Sequence, residues 1–253
     1  MATDLFIHEY KPLKLERSMV VIGFPSIGLV SSIAANFIVK QMRLEKVAAI
    51  VSNEFPPYSI IHEGSVVPPM RIHAGARTCD EKGENCETLV VITSEFMPEP
   101  NLLRPLVDLI IDWGRKNEAN TIVTLEGVNM GENPEQRDIL AVATGERCKK
   151  MLATYGMKEF KEGMVSGLSG VMLSEGDRLD QDVICLLGPA RTDFPDARGA
   201  ARLLEQLAKM LPELKLDPEP LFKEAETVEK ELRSNLEKMK LASRKTDESL
   251  LYG

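Results

Sequence analysis

Two kinds of hydrophobic pattern take turns along the first 211 residues. In one, short apolar runs stand without alternation: Ser18–Gly23 (SMVVIG), Lys46–Val51 (KVAAIV), Thr88–Thr93 (TLVVIT), Thr121–Leu125 (TIVTL), Ile139–Ala143 and Asp182–Leu187 (DVICLL). A strand with one wet face alternates apolar and polar positions, so these runs predict strands buried on both faces. In the other pattern, apolar residues recur at three- and four-residue steps, the mark of a helix with one buried stripe. Gly28–Gln41 shows it through Val30, Ile33, Ala34, Phe37 and Ile38, and Asn101–Lys116 through Leu103, Val107, Ile110, Ile111 and Trp113. Gly145–Tyr155 reads as a third helix, stopped by Gly156, and Asp196–Leu211 as a further one. Ser26 is placed to cap the first.

Strands interleaved with helices predict an α/β domain whose sheet is mostly parallel and flanked by helices on both faces. Between Asn53 and Glu87 the pattern breaks. Pro56-Pro57, Pro68-Pro69 and the polar tip Asp80–Asn85 predict a hairpin or an irregular excursion there. No internal repeat is present.

Beyond Leu211 the pattern differs in kind. Leu216-Asp217-Pro218 breaks the preceding helix, and Pro218–Ala242 reads as one long helix with a stripe of Leu221, Ala225, Val228, Leu232, Leu236 and Met239. Its other faces are almost wholly Glu, Lys and Arg. A stripe this thin fits a docking helix or an oligomer seam, and equally a helix lying across its own domain. Ser243–Ser249 is polar and expected to be mobile. The sequence then closes on Leu250-Leu251-Tyr252-Gly253. The expected organisation is an α/β domain over residues 1–215, a helix over 216–242 and a flexible tail over 243–253.

Charge narrows the partners. The chain carries 31 basic and 39 acidic residues, a net charge of −8, so it has no general attraction for nucleic acid or anionic lipid, and no basic run restores one. No apolar stretch reaches the roughly 18–20 residues of a membrane helix. The N-terminus lacks the basic start and apolar stretch of a signal peptide. Four cysteines in 253 residues fit a reducing interior. The expectation is a cytoplasmic protein with neither nucleic acid nor membrane as partner.

The most conspicuous internal motif is Gly23-Phe24-Pro25-Ser26-Ile27-Gly28, between a strand and a helix. Helix-start N–H groups bind anions, so Gly23, Ser26 and Gly28 mark a candidate anion or ligand turn. Leu29 and Val30 stand where a phosphate loop needs Lys and Ser/Thr, so the motif reads first as a tight strand-to-helix turn, with the anion site as the alternative. The three histidines, His8, His62 and His73, pair at no metal spacing. Cys148 and Cys185 fall in predicted core elements. Cys79 and Cys86 flank the polar tip, facing each other if it centres on Lys82-Gly83, as a cross-strand disulfide or as two unlinked thiols. Glu126 and Gly127 end a strand, where α/β sheets place ligands. No catalytic constellation, metal cluster or cofactor motif emerges.

The tail offers different chemistry. An aliphatic side chain, a ring with a polar tip and a free carboxylate suit capture in a pocket.

Three blocks carry a resemblance: Gly23–Val30 (GFPSIGLV), Ser166–Leu173 (SGLSGVML) and Phe194–Ala201 (FPDARGAA). Their order and content, over roughly residues 15–240, resemble the proteasome assembly chaperone 2 family in its archaeal form. The resemblance implies a domain similar to the nucleoside-phosphorylase class, self-association into a homo-oligomer, and work on the α-subunits of the proteasome core particle. Leu251-Tyr252-Gly253 resembles the hydrophobic-Tyr-any tail of proteasome activators. By that likeness Leu251 fills an apolar pocket between α-subunits, Tyr252 hydrogen-bonds at its rim, and the Gly253 carboxylate pairs with a lysine. The expected function is a non-enzymatic assembly chaperone or activator. The alternative is an enzyme or ligand-binding protein using a cleft near Gly23–Gly28.

Overall fold

The non-alternating runs become the middle of a nine-stranded sheet. The computed structural model describes residues 4–10, 15, 17–57, 59–62, 64–79, 86–129, 131, 137–192, 194–214 and 216–223. In chain order the elements are β1 (Leu5–Glu9), β2 (Ser18–Gly23), α1 (Val30–Gln41), β3 (Glu45–Ser52), β4 (Ile60–His62), β5 (Ser65–Val67), β6 (Met70–Cys79) and β7 (Cys86–Ser94). There follow α2 (Pro100–Lys116), β8 (Ala119–Val128), β9 (Leu140–Ala143), α3 (Gly145–Thr154), β10 (Lys158–Glu159), α4 (Gly167–Leu179), β11 (Val183–Pro189) and α5 (Ala197–Met210).

Across the sheet the order is β1-β3-β6-β7-β2-β8-β11-β9-β10, with β4 and β5 paired as a separate hairpin. The centre, β7-β2-β8-β11, is parallel. The flank β1-β3-β6-β7 is antiparallel, as is β11 with β9. The sheet is therefore mixed, which corrects the expectation of a mostly parallel one. Apolar runs report burial on both faces and carry no record of strand direction. Direction is set by connections: residues 80–85 between β6 and β7 are too few for a crossover, which takes a dozen or more. In that hairpin Cys79 and Cys86 are register partners.

Helices α1, α3 and α5 cover one face of the sheet, and α2 and α4 the other. Within β2, Met19 and Val21 join the first cluster and Val20 and Ile22 the second, so one run serves two cores. Helix α4 was not legible in the hydrophobic period, because GLSGVMLSEGDRL is rich in weak helix formers. Packing holds it instead. Glu175, buried on α4, pairs with Arg104 of α2 and with Arg178 one turn on. The first core continues past α5, since Leu216 and Leu221 are buried in it. Residues 219–223 are helical, within the long helix expected there; residues 224–253, over which the remainder of that expected helix and the tail fall, lie outside the described residues. Among the described residues no helix is long and apolar enough to cross a membrane.

Candidate functional site

The four central strands run the same way and end at one edge of the sheet. From β2 the chain enters a 3₁₀ turn, Ile27–Leu29, and then α1. Gly28 (φ 61°) and Leu29 (φ 53°) are left-handed, so the α-helix starts at Val30, two residues later than the apolar period predicts. Only glycine fits position 28: a Cβ there would lie 2.7 Å from the carbonyl oxygen of Arg191. Gly23 serves close packing, because its Cβ would fall 2.2 Å from that of Ala35 on α1.

Ser26 acts chiefly elsewhere than at the helix. Its Oγ accepts the N–H of Gly127, at the end of β8, at 3.1 Å, and only at 3.4 Å the N–H of Ser31. The two left-handed residues displace the helix start from the serine, which corrects the expectation of a simple cap. One turn on, Ser31 donates its hydroxyl to the Leu125 carbonyl at 2.5 Å.

Asp196 joins the start of α5 to the same turn. Its N–H donates to the Gly28 carbonyl at 2.7 Å, while its Oδ1 accepts from Gly199 at 2.7 Å and its Oδ2 from Arg191 at 3.0 Å. From the other side of the sheet, Ser169 of α4 donates its hydroxyl to Glu126 at 2.8 Å. The three blocks around Gly23, Ser166 and Phe194 are far apart in sequence, yet the first reaches Gly127 through Ser26, the second reaches Glu126 through Ser169, and the third joins the first through Asp196 and Gly28. The sequence pointed to Glu126 as a strand end and to Asp196 as a helix start. It did not show that Ser169 reaches Glu126; a serine three residues inside a helix that opens on glycine gives no local signal of that.

Electrostatics at this edge are acidic. Burial pushes the Glu126 carboxyl up to about 7, against the stabilising hydrogen bond from Ser169. Asp196, buried beside the turn, adds a second carboxylate. An anion seated on Gly23, Ser26 and Gly28 would lie beside Asp196, which is already hydrogen-bonded to that turn. Burial holds the thiols of Cys148 and Cys185 up at about 12, far from a reactive thiolate. Among the described residues no group of three His, Cys, Asp or Glu side chains is placed to hold a metal ion. Leu251, Tyr252 and Gly253 lie outside the described residues.

The PAC2 family model matches residues 20–235. The uncharacterized protein MJ0106 of Methanocaldococcus jannaschii is 28% identical over the whole of both chains. The crystal structure of Pyrococcus furiosus PbaA, an archaeal homolog of proteasome-assembly chaperone, is similar with a TM-score of 0.82 and 31% identity, over 96% of this chain and 97% of that one. Pyrococcus furiosus PbaB, an archaeal proteasome activator, shares the fold with a TM-score of 0.76 and 23% identity, over 91% and 98%.

Proposed function

The chain belongs to the PAC2 family, and from that membership we propose that it serves the proteasome as an assembly chaperone or activator. The observation that carries this reading is the 31% identity, across 96% of the chain, with a homolog of proteasome-assembly chaperone. The family and its proteasome-assembly chaperone homologues are non-enzymatic, so the enzyme alternative is set aside. In this reading Gly23, Ser26 and Gly28 form a scaffold turn rather than an anion site. The hydrogen bonds of Ser26 to Gly127 and of Gly28 to Asp196 support that assignment.

The partner we assign is the α-ring of the core particle in the cytoplasm, and the contact is the C-terminal tail. Burying the Leu251 side chain contributes about 1.5–3 kcal/mol, the Tyr252 hydroxyl about 0.5–1.5 kcal/mol net, and the Gly253 carboxylate about 1.5–3 kcal/mol against a cation. Such an anchor is weak alone. A homo-oligomer presenting several tails multiplies avidity by about 10²–10⁴. Exposed apolar side chains on the β4–β5 hairpin, Ile61 at 63% and Val66 at 67%, support self-association, since contact between copies would cover them.

The test is co-sedimentation with purified core particles, beside the oligomer mass by light scattering. Wild type is expected to bind, and Tyr252→Ala to lose binding while keeping its mass and melting point. Undiminished binding by Tyr252→Ala would move the contact to the folded body. Failure of the wild type to bind would overturn the assignment to the proteasome.

A further inference from the structure

The antiparallel flank holds a groove of about 730 Å³, within the roughly 300–1,000 Å³ of small-molecule sites. It is walled by α1 and the turn after it, by the β4–β5 hairpin, and by β3 and β6. Val39, Leu44, Ile60 and Val67 give it apolar sides. Among them stand Lys40, Arg43, Lys46 and Arg71, and the one carboxylate among the lining residues, Glu95, is ion-paired to Arg71. In a chain of net charge −8 this is a local reversal of sign. Its members come from α1, the following turn, β3 and β6, so no basic run announces it in the sequence.

His73 lines the same groove. It is 8% exposed, and its Nδ1 has no hydrogen-bond partner among the described residues. Burial first, then the charges of Arg71 and Lys46, push its pKa down to about 4. The imidazole is therefore neutral at pH 7, a polar group within a positive field. A permanent excess of cations beside apolar walls attracts a ligand that has both an anionic end and an apolar body.

We propose that this groove binds an amphipathic organic carboxylate, its head held by Arg43, Lys46 and the His73 imidazole and its body laid along Val39, Leu44, Ile60 and Val67. Each half of such a ligand meets one half of the lining. The site lies away from the Glu126–Gly127 edge and does not depend on the proteasome reading.

The probe is decanoate, followed by isothermal titration calorimetry at fixed ionic strength. One molecule per chain is expected to bind. Decanol and inorganic phosphate, each offering half of the chemistry, are expected to bind at least about tenfold more weakly. The double variant Arg43→Glu/Lys46→Glu puts carboxylates where the head would sit and should weaken decanoate by at least about tenfold. Lys158→Glu, on β10 at the opposite edge of the sheet, should leave binding unchanged. In wild-type protein the imidazole NMR signals of His73 should move during the titration, a readout that needs no variant. The proposal is overturned if decanoate does not bind up to millimolar concentration, if His73 stays unmoved, or if the folded double variant binds like wild type.

Discussion

The parallel centre of the sheet and its antiparallel flank obey different rules. Every residue of β2 and of β11 is buried, with α1 and α5 closing one face and α2 and α4 the other. In β1 burial alternates: Leu5 and Ile7 pack toward α2, while Phe6 and His8 face outward. Trp113 of α2 adds a hydrogen bond from its indole N–H to Glu9 at 3.0 Å, tying the flank strand to the helix from that one side. A doubly buried strand cannot hold an unpaired charge, because desolvation there is too costly. Polar groups near the ends of the central strands, Ser26, Glu126, Ser169 and Asp196, are accordingly each matched to a partner within the fold. On the flank, cations gather in the groove between the sheet, α1 and the β4–β5 hairpin. Architecture is thus concentrated at the centre, and freedom to bind at the flank.

The largest test of that contrast is a pair of truncations. Ile22→Ala, at a position 1% exposed in β2, should cost about 2–5 kcal/mol of stability. Phe6→Ala, at a position 44% exposed on β1, should change stability by only about 0.5 kcal/mol. Denaturant titration with linear extrapolation measures both. Equal losses would erase the distinction.

A somewhat smaller effect is expected from pH. The Glu126 carboxyl stands at about 7 in the fold against 4.5 for the free side chain, so the folded state holds the proton more tightly between those values. The contribution to stability is full below about pH 4.5 and is lost as pH rises through about 7, on the order of 3 kcal/mol in all. Glu126→Gln should flatten that part of the profile and leave the variant more stable than wild type at pH 8. If the two profiles ran parallel, the centre would not be penalising charge as described.

Smallest is the turn itself. Ser26→Ala removes the acceptor for the Gly127 N–H and should cost about 1–2 kcal/mol, measured by thermal melting. Proteasome binding should survive it, since the turn is read as scaffold. Loss of binding with normal stability would make the turn a contact surface.

The same contrast explains what the sequence revealed. Runs such as SMVVIG and DVICLL were readable because two-sided burial demands an unbroken apolar stretch. Strand β6 was not, since MRIHAGARTC sets Arg71, His73 and Arg77 among its apolar positions, and the buried Arg71 is held by its ion pair with Glu95. Helix α4 escaped because tertiary ion pairs and packing, rather than propensity, hold its glycine-rich chain. At the candidate site Gly28 and Glu126 stood out by local grammar, the first in a strand-to-helix turn, the second at a strand end. Their partners Asp196 and Ser169 are joined to them only by topology. The cationic groove was invisible for the same reason: Lys46 and His73 become neighbours only through the register of β3 with β6.

Ser26 and Gly127 hydrogen-bond across 101 residues, and Gly28 waits still longer for Asp196. During synthesis the opening turn is therefore among the first segments made and among the last completed. At about 5–20 residues per second, Asp196 emerges roughly ten to thirty seconds after Gly28. Through that interval the left-handed pair Gly28–Leu29 lacks the contact that holds the Gly28 carbonyl. The order of emergence makes α5 the latch of the fold. A nascent chain halted before it would carry β2, α1 and the strands after them, with the joint between α1 and α5 still open.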